Sequence, residues 1–178
     1  MPGNKKIALI ALVVVGLATG ASFFMRQQAP VGHDASVSDS GSEIFLLSLE
    51  DYEGKTVSLA NFRGQPLVIN SWAAWCPFCR KELADLALLQ KEFGDSINVI
   101  AVDRAESKDT AQKYTDELGV TGGMVFLLDP SDSLYRSIGG FSMPETIFMD
   151  KDGRIVIHKR GPMDINEMRE KIQQLILN

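Results

Sequence analysis

The chain has 178 residues, 45% of them hydrophobic, which suits one domain with a real core and some additional segments. Its formal charge is −5, and the only basic residues before position 27 are Lys5, Lys6 and Arg26 in a stretch without acids, so residues 27–178 carry 15 basic against 23 acidic groups, or −8. An acidic domain with no basic cluster excludes nucleic acid as a partner, and two cysteines with two distant histidines make a poor four-ligand zinc site.

In chain order, Ile7 to Met25 is an uncharged run of 19 residues. As a helix it would span about 28 Å, close to the ~30 Å of a bilayer core. Lys5 and Lys6 precede it, so residues 1–26 are predicted to form a membrane anchor with its N-terminus in the cytoplasm and the rest of the chain outside. A cleaved signal peptide is the rival reading. Ala18-Thr19-Gly20 is a weak cleavage site, however, and Phe23-Phe24-Met25 continues the apolar run past it. Residues 27–42 are rich in Ser, Gly, Ala and Asp without apolar periodicity, and read as a flexible linker in which His33 is solvated. The folded domain is expected over 43–178.

Within it, Phe45 to Ser48 and Thr56 to Ser58 flank Glu53-Gly54 as a hairpin. Pro66 to Asn70 reads as a buried strand, and a helix is predicted from Pro77 to Phe93, with Leu83, Leu86, Gln90 and Phe93 on one face. Ile97 to Val102 is apolar nearly throughout, as a parallel strand covered on both faces should be. Ser107 is placed to cap a helix that stops at Gly119. Val125 to Leu128 is a further strand, followed by a short helical turn from Ser131 to Ser137. Glu145 to Met149 and Arg154 to Lys159 flank Asp152-Gly153, a strong antiparallel hairpin signal, with His158 at a half-exposed strand position. Asp164 and Glu167 form a capping box before a last helix with Ile165, Met168, Ile172 and Leu175 on its apolar face. The sum is an α/β domain.

Cys76 and Cys79 are the only cysteines, and their Cys-x-x-Cys spacing falls at a strand-to-helix junction. A structural disulfide there would close a tiny loop and add little stability. Disulfide exchange needs a thiolate. Unpaired N–H groups and the positive dipole end at a helix start favour one, so Cys76 is expected to attack and the more sheltered Cys79 to resolve the mixed disulfide. Pro77 is read as the first helical residue, where its missing N–H does no harm. Pro77 and Phe78 tune the pair through backbone and local electrostatics, and an exposed Phe78 would offer a protein substrate an apolar contact. Trp75 is expected to cover one side of the site, and Trp72 to serve the core.

Two runs carry a family resemblance. The first is Asn61-Phe62-Arg63-Gly64-Gln65-Pro66-Leu67-Val68-Ile69-Asn70, continuing through Ser71-Trp72-Ala73-Ala74-Trp75-Cys76 to Cys79-Arg80-Lys81-Glu82-Leu83. The second is Met143-Pro144-Glu145-Thr146-Ile147-Phe148-Met149-Asp150. Together they resemble the TlpA/ResA/CcmG (DsbE) group of thioredoxin-like proteins over about residues 43 to 178. The resemblance implies a thioredoxin fold, a central mixed sheet flanked by helices with an N-terminal hairpin extension. It also implies a cis bond before Pro144 beside the sulfurs, Glu82 as the acid that moves protons for the second thiol, and Met143 and Glu145 as residues that shape the site. Three positions depart from the group's pattern: Ser71, Ala84 and Met143. The activity implied is thiol–disulfide exchange with exported proteins, without a cofactor, most similar to members that keep apocytochrome c cysteines reduced and draw electrons from a membrane thiol donor. A monomer is expected. The alternatives are a disulfide-donating oxidase and a non-catalytic binding module on the same fold. A related peroxidase is disfavoured because Ala73 stands where those families carry Thr.

Overall fold

The computed structural model describes residues 40–177. The expected anchor over 1–26 and most of the linker lie outside them. Among the described residues, no helix is long and apolar enough to cross a membrane.

The described chain runs α1 (Ser40–Ile44), β1 (Ser48–Asp51), β2 (Thr56–Ser58), β3 (Leu67–Trp72), α2 (Cys79–Phe93), β4 (Asn98–Arg104), α3 (Lys108–Leu118), β5 (Val125–Asp129), α4 (Ser133–Ser137), β6 (Glu145–Met149), β7 (Ile155–Arg160) and α5 (Ile165–Leu177). The strands form one mixed sheet in the order β2-β1-β5-β4-β3-β6-β7. β3, β4 and β5 are parallel, as crossovers through α2 and α3 require, while β6 lies antiparallel to β3 and β7 to β6. The hairpin β1–β2 extends the sheet through an antiparallel β1–β5 pair. This is the mixed sheet with a hairpin extension that the resemblance implied.

Period-two alternation sorts the central strands between two faces. Val68, Val99 and Phe148 face one side, where Leu86 and Leu89 of α2 meet Met168, Ile172 and Leu175 of α5. Leu67, Ile69, Ile100, Val102, Ile147 and Met149 face the other, under Ile44 of α1 and Leu134 of α4. The predicted caps hold where they can be checked. Ser107 Oγ accepts the Thr110 N–H at 3.2 Å, and Gly119 ends α3 in the left-handed region at φ 72°. Asp164 Oδ1 accepts from the Asn166 and Glu167 amides, but Glu167 does not complete a reciprocal box: its carboxylate turns to Lys159 and Lys171.

Two expectations shift at the start of the domain. Residues 40–42, assigned to the linker, belong to α1, and Phe45–Leu47 are not a strand. The Leu46 and Leu47 amides bond back to Glu43 and Ile44, so pairing begins only at Ser48 opposite Ser58. Phe45 is buried instead, with its ring under the Arg63 guanidinium and against Gly153 of the β6–β7 turn.

Gln90, read as part of an apolar face, has a polar task. Its Nε2 donates to the Gly94 and Ile97 carbonyls and its Oε1 accepts from the Val99 N–H at 2.7 Å, joining the end of α2 to the start of β4. Gln90→Leu would strand these groups, and urea unfolding should show a loss of about 2 kcal/mol, within the ~1–3 kcal/mol typical of an unsatisfied buried group. An unshifted midpoint would mean that the three groups find other partners.

Candidate active site

β3 ends at Trp72, and the chain turns twice before α2 begins. The Cys76 N–H bonds to the Ala73 carbonyl at 3.1 Å, and the Cys79 N–H to the Cys76 carbonyl at 3.2 Å. Cys76 and Cys79 are joined as a disulfide with Cα atoms 5.4 Å apart. α2 starts at Cys79, so Pro77 lies in the turn ahead of the helix rather than at its first position, and Cys76 stands three residues before it. The helix dipole, which falls off within a turn, therefore reaches Cys76 weakly. What reaches it directly is one donor: the Cys79 N–H points at Cys76 Sγ from 3.2 Å. Burial does not separate the two residues, at 1% and 0% exposed, but this hydrogen bond does. On reduction it favours negative charge on Cys76.

The side chains that precede the two cysteines, and that of Phe141 in the loop before Pro144, are apolar and face outward. Trp75, Phe78 and Phe141 are 63%, 59% and 85% exposed. Trp75 thus projects into solvent instead of covering the site as expected, because the turn from Ala73 to Cys76 directs it away from the core. Phe78 is exposed as a substrate contact would need. Trp72 is fully buried, stacked on Tyr114 with centroids 5.6 Å apart and edge-on to Phe126, which is the core role expected of it. The Met143–Pro144 bond is cis, as the resemblance implied. Met143 packs against the cluster that contains both cysteines, and Pro144 is buried.

Glu82 lies one helical turn beyond Cys79 and is only 1% exposed. Its Oε1 accepts from Asn70 Nδ2 and Thr146 Oγ1, both at 2.8 Å, and its Oε2 from the Met163 N–H at 2.9 Å. Asn70 also donates to Thr146, its direct partner across the β3–β6 pair. One carboxylate therefore ties α2 to β3, β6 and the approach to α5. Burial pushes its pKa up, against the lowering by the Met163 and Thr146 hydrogen bonds.

Glu145 does not address the sulfurs. Its carboxylate is fully buried, with Oε1 accepting from the Phe141 and Ser142 amides at 2.6 Å and Oε2 2.8 Å from His158 Nε2. Burial pushes this carboxyl up, but the two amides and His158 outweigh it and hold it below the usual range. Glu145 thus shapes the site by fixing the segment from Phe141 to the cis proline. Tyr135 fixes the same segment from the other side: its hydroxyl donates to the Ser142 carbonyl, and its ring fills the place a side chain on Gly140 would need. The sequence reading missed the Glu145–His158 contact, though the hairpin register held a signal for it. Glu145 pairs with Arg160, so His158 is its diagonal neighbour on the same face. It also missed Glu106, whose Oε2 accepts the Ala74 N–H at 2.6 Å and holds the loop ahead of Cys76.

The raised pKa of Glu82 fixes a sign. The folded chain keeps this proton at a pH where an unfolded Glu, near ~4.3, has lost it. Stability from this site is therefore fullest below the ordinary value and is lost as pH rises through the folded one. Glu82→Gln removes the titration, so the unfolding free energy of the native chain relative to the variant should fall as pH rises above the ordinary Glu value of ~4.3. A constant difference above that value would show an ordinary carboxyl.

Comparison with known proteins agrees with this geometry. The AhpC/TSA family model matches residues 41–158. The thiol:disulfide interchange protein DsbE of Vibrio cholerae is 31% identical over 168 residues, covering 92% of this chain and 88% of its own. The thiol-disulfide oxidoreductase ResA of Halalkalibacterium halodurans is 28% identical over 170 residues, covering 94% and 92%. Among solved structures, MTB DsbF aligns with a TM-score of 0.69 at 21% identity, over 74% of this chain and 96% of that one, a likeness of fold. A buried Cys76–Cys79 disulfide at the end of a thioredoxin-type sheet, with relatives named for disulfide exchange, places the chain in the AhpC/TSA family as a thiol–disulfide oxidoreductase of the ResA and DsbE type.

Proposed function

We propose that the chain is a membrane-anchored reductant of exported proteins, in which Cys76 attacks a substrate disulfide and Cys79 resolves the mixed disulfide. The observation that carries the direction is the sparse stabilisation of Cys76. A strongly oxidising pair owes its potential to a well-stabilised thiolate in the reduced form. Here Cys76 stands ahead of the helix, with one amide on its sulfur and a buried carboxyl one turn beyond its partner. Such a pair gives up electrons readily. The chemistry balances without a cofactor: two thiols of this chain become a disulfide while one substrate disulfide becomes two thiols.

Glu82 is the proton carrier we assign to Cys79. It shares the inward face of α2 with that residue, and its raised pKa lets it hold and release a proton closer to neutral pH than an ordinary carboxyl. Substrate selection falls to the exposed Trp75, Phe78 and Phe141 together with Met143. The resemblance at Pro144-Glu145-Thr146 supports apocytochrome c as one substrate. The uncharged run behind Lys5 and Lys6 supports the anchor, and with it recharging by a thiol donor in the membrane.

Equilibration in defined thiol buffers tests the direction. The pair should show a potential near or below about −230 mV, whereas a value near about −120 mV would make it a disulfide donor and overturn the reading. Cys79→Ser should trap a mixed disulfide through Cys76, seen as a reducible adduct, and Cys76→Ser should not. Phe78→Ser should slow exchange with a protein disulfide more than with a small one. Equal slowing of both would remove Phe78 from substrate recognition.

A further inference from the structure

Residues 138–144 join α4 to β6 with no helix or strand of their own. They carry the exposed Phe141, and Met143, which packs against the cluster that contains both cysteines. Side chains grip this segment at Ser142. The Ser142 N–H donates to Glu145 Oε1 at 2.6 Å, and the Ser142 carbonyl accepts the Tyr135 hydroxyl at 3.0 Å. The two peptide planes that flank its α-carbon are thus each held by a side chain. A residue has only two soft backbone dihedrals, so holding both planes sets both angles. That fixes how the α-carbons of Phe141 and Met143 stand relative to each other.

Tyr135 is held in its turn. The Arg104 guanidinium, from the end of β4, lies over its ring at 3.4 Å from the centroid. The same guanidinium grips Asp132 through two bonds, Nε to Oδ1 at 2.7 Å and Nη2 to Oδ2. Asp132 stands in the turn between β5 and α4 at φ 56°, a left-handed conformation that Asp tolerates better than most residues. Gly140 lets the Tyr135 ring lie against the segment, since a Cβ there would meet ring carbons at 2.4 Å. The Gly140 N–H also bonds back to the Tyr135 carbonyl at 2.8 Å. The cysteines pack among a different set of residues, around Trp72, Leu83 and Phe126.

We propose that Tyr135, held by Arg104 and Asp132, is a positioning residue for substrate selection. By pinning the Ser142 carbonyl it sets Phe141 and Met143 to receive a protein chain, and it leaves the chemistry of the sulfurs alone. The inference rests on the reading above that these two side chains meet the substrate, and it holds for either redox direction. A small disulfide needs only the sulfurs. A protein disulfide brings chain that must fit the segment, so losing the Tyr135 bond falls on the binding of protein substrates.

Tyr135→Phe provides the test, because it keeps the ring over Gly140 and under Arg104 and removes only the hydroxyl. With the full chain, insulin as the protein disulfide and dithiothreitol as the electron source, KM should rise about 3- to 10-fold at unchanged kcat, the span of one lost neutral hydrogen bond. The rate with hydroxyethyl disulfide and the reduction potential of the pair should keep their native values. Arg104→Met should raise KM for insulin in the same way and, added to Tyr135→Phe, raise it no further, because Arg104 acts through the hydroxyl. With ¹⁵N labelling, the Met143 amide, which shares a peptide plane with the Ser142 carbonyl, should shift in Tyr135→Phe while the Cys76 amide stays in place. Phe141→Ser separates the two readings. If it raises KM for insulin selectively and Tyr135→Phe does not, the segment meets substrate and the role of Tyr135 is overturned. If neither substitution discriminates insulin from the small disulfide, the contact itself is absent and both readings fall. Equal slowing with both substrates in Tyr135→Phe, or a shifted potential, makes Tyr135 a support of the fold alone and overturns the proposal as well.

Discussion

A carboxylate under a helix is expensive to desolvate, and breaking such a group's contacts one at a time typically costs more than the group contributes as a pair. Glu82 is tolerable only because three donors from three other parts of the chain converge on it. That condition fixes much of the domain. Asn70 must lie opposite Thr146, which sets the β3–β6 register. The Met163 amide must come within reach, which sets how α5 enters. α2 must present Glu82 inward, which turns Cys79 inward one turn earlier and puts the disulfide at the sheet's end. The active-site geometry and the core packing are thus two outcomes of one polar constraint.

The same logic recurs on each flank. Glu145 holds the Phe141 and Ser142 amides, and Glu106 holds the Ala74 amide. In both cases a carboxylate grips loop backbone that no strand or helix supports, leaving the neighbouring side chains free to point outward. That explains an inverted surface: buried acids below, exposed Trp75, Phe78 and Phe141 above. Isolated exposed aromatics are ordinary, but two of these sit directly ahead of the two cysteines, Trp75 before Cys76 and Phe78 before Cys79.

Much of this was legible in the residues. Continuous apolar runs located β3 and β4, and Asp152-Gly153 located the β6–β7 hairpin, because burial and turn chemistry there act locally. The Cys-x-x-Cys spacing and Pro144 marked the site. What escaped was set by contacts distant in sequence. The residues at Phe45–Leu47 look like a strand, but their amides are taken by α1. Gln90 sits at an apolar position, but β4 offers it three partners. Glu82 and Glu145 could be named as acids of the site, yet only the assembled sheet shows that one serves the core around Cys79 and the other the loop before Pro144. The start of α2 was read two residues early, and that small error inflated the dipole on Cys76.

The correction changes the chemistry more than the fold. If the helix began at Pro77, several free amides and the dipole would face Cys76, an arrangement that stabilises thiolate and raises the potential. With the start at Cys79, a single amide remains on the sulfur, while the buried Glu82 carboxyl lies one turn beyond Cys79 and Glu106 holds the Ala74 amide. Negative charge near a sulfur disfavours its thiolate. A charged Glu82 would therefore oppose a thiolate nearby, and its raised pKa eases that opposition. Structural support and proton handling meet in this way at one carboxyl group, so a change at Glu82 should be read in both.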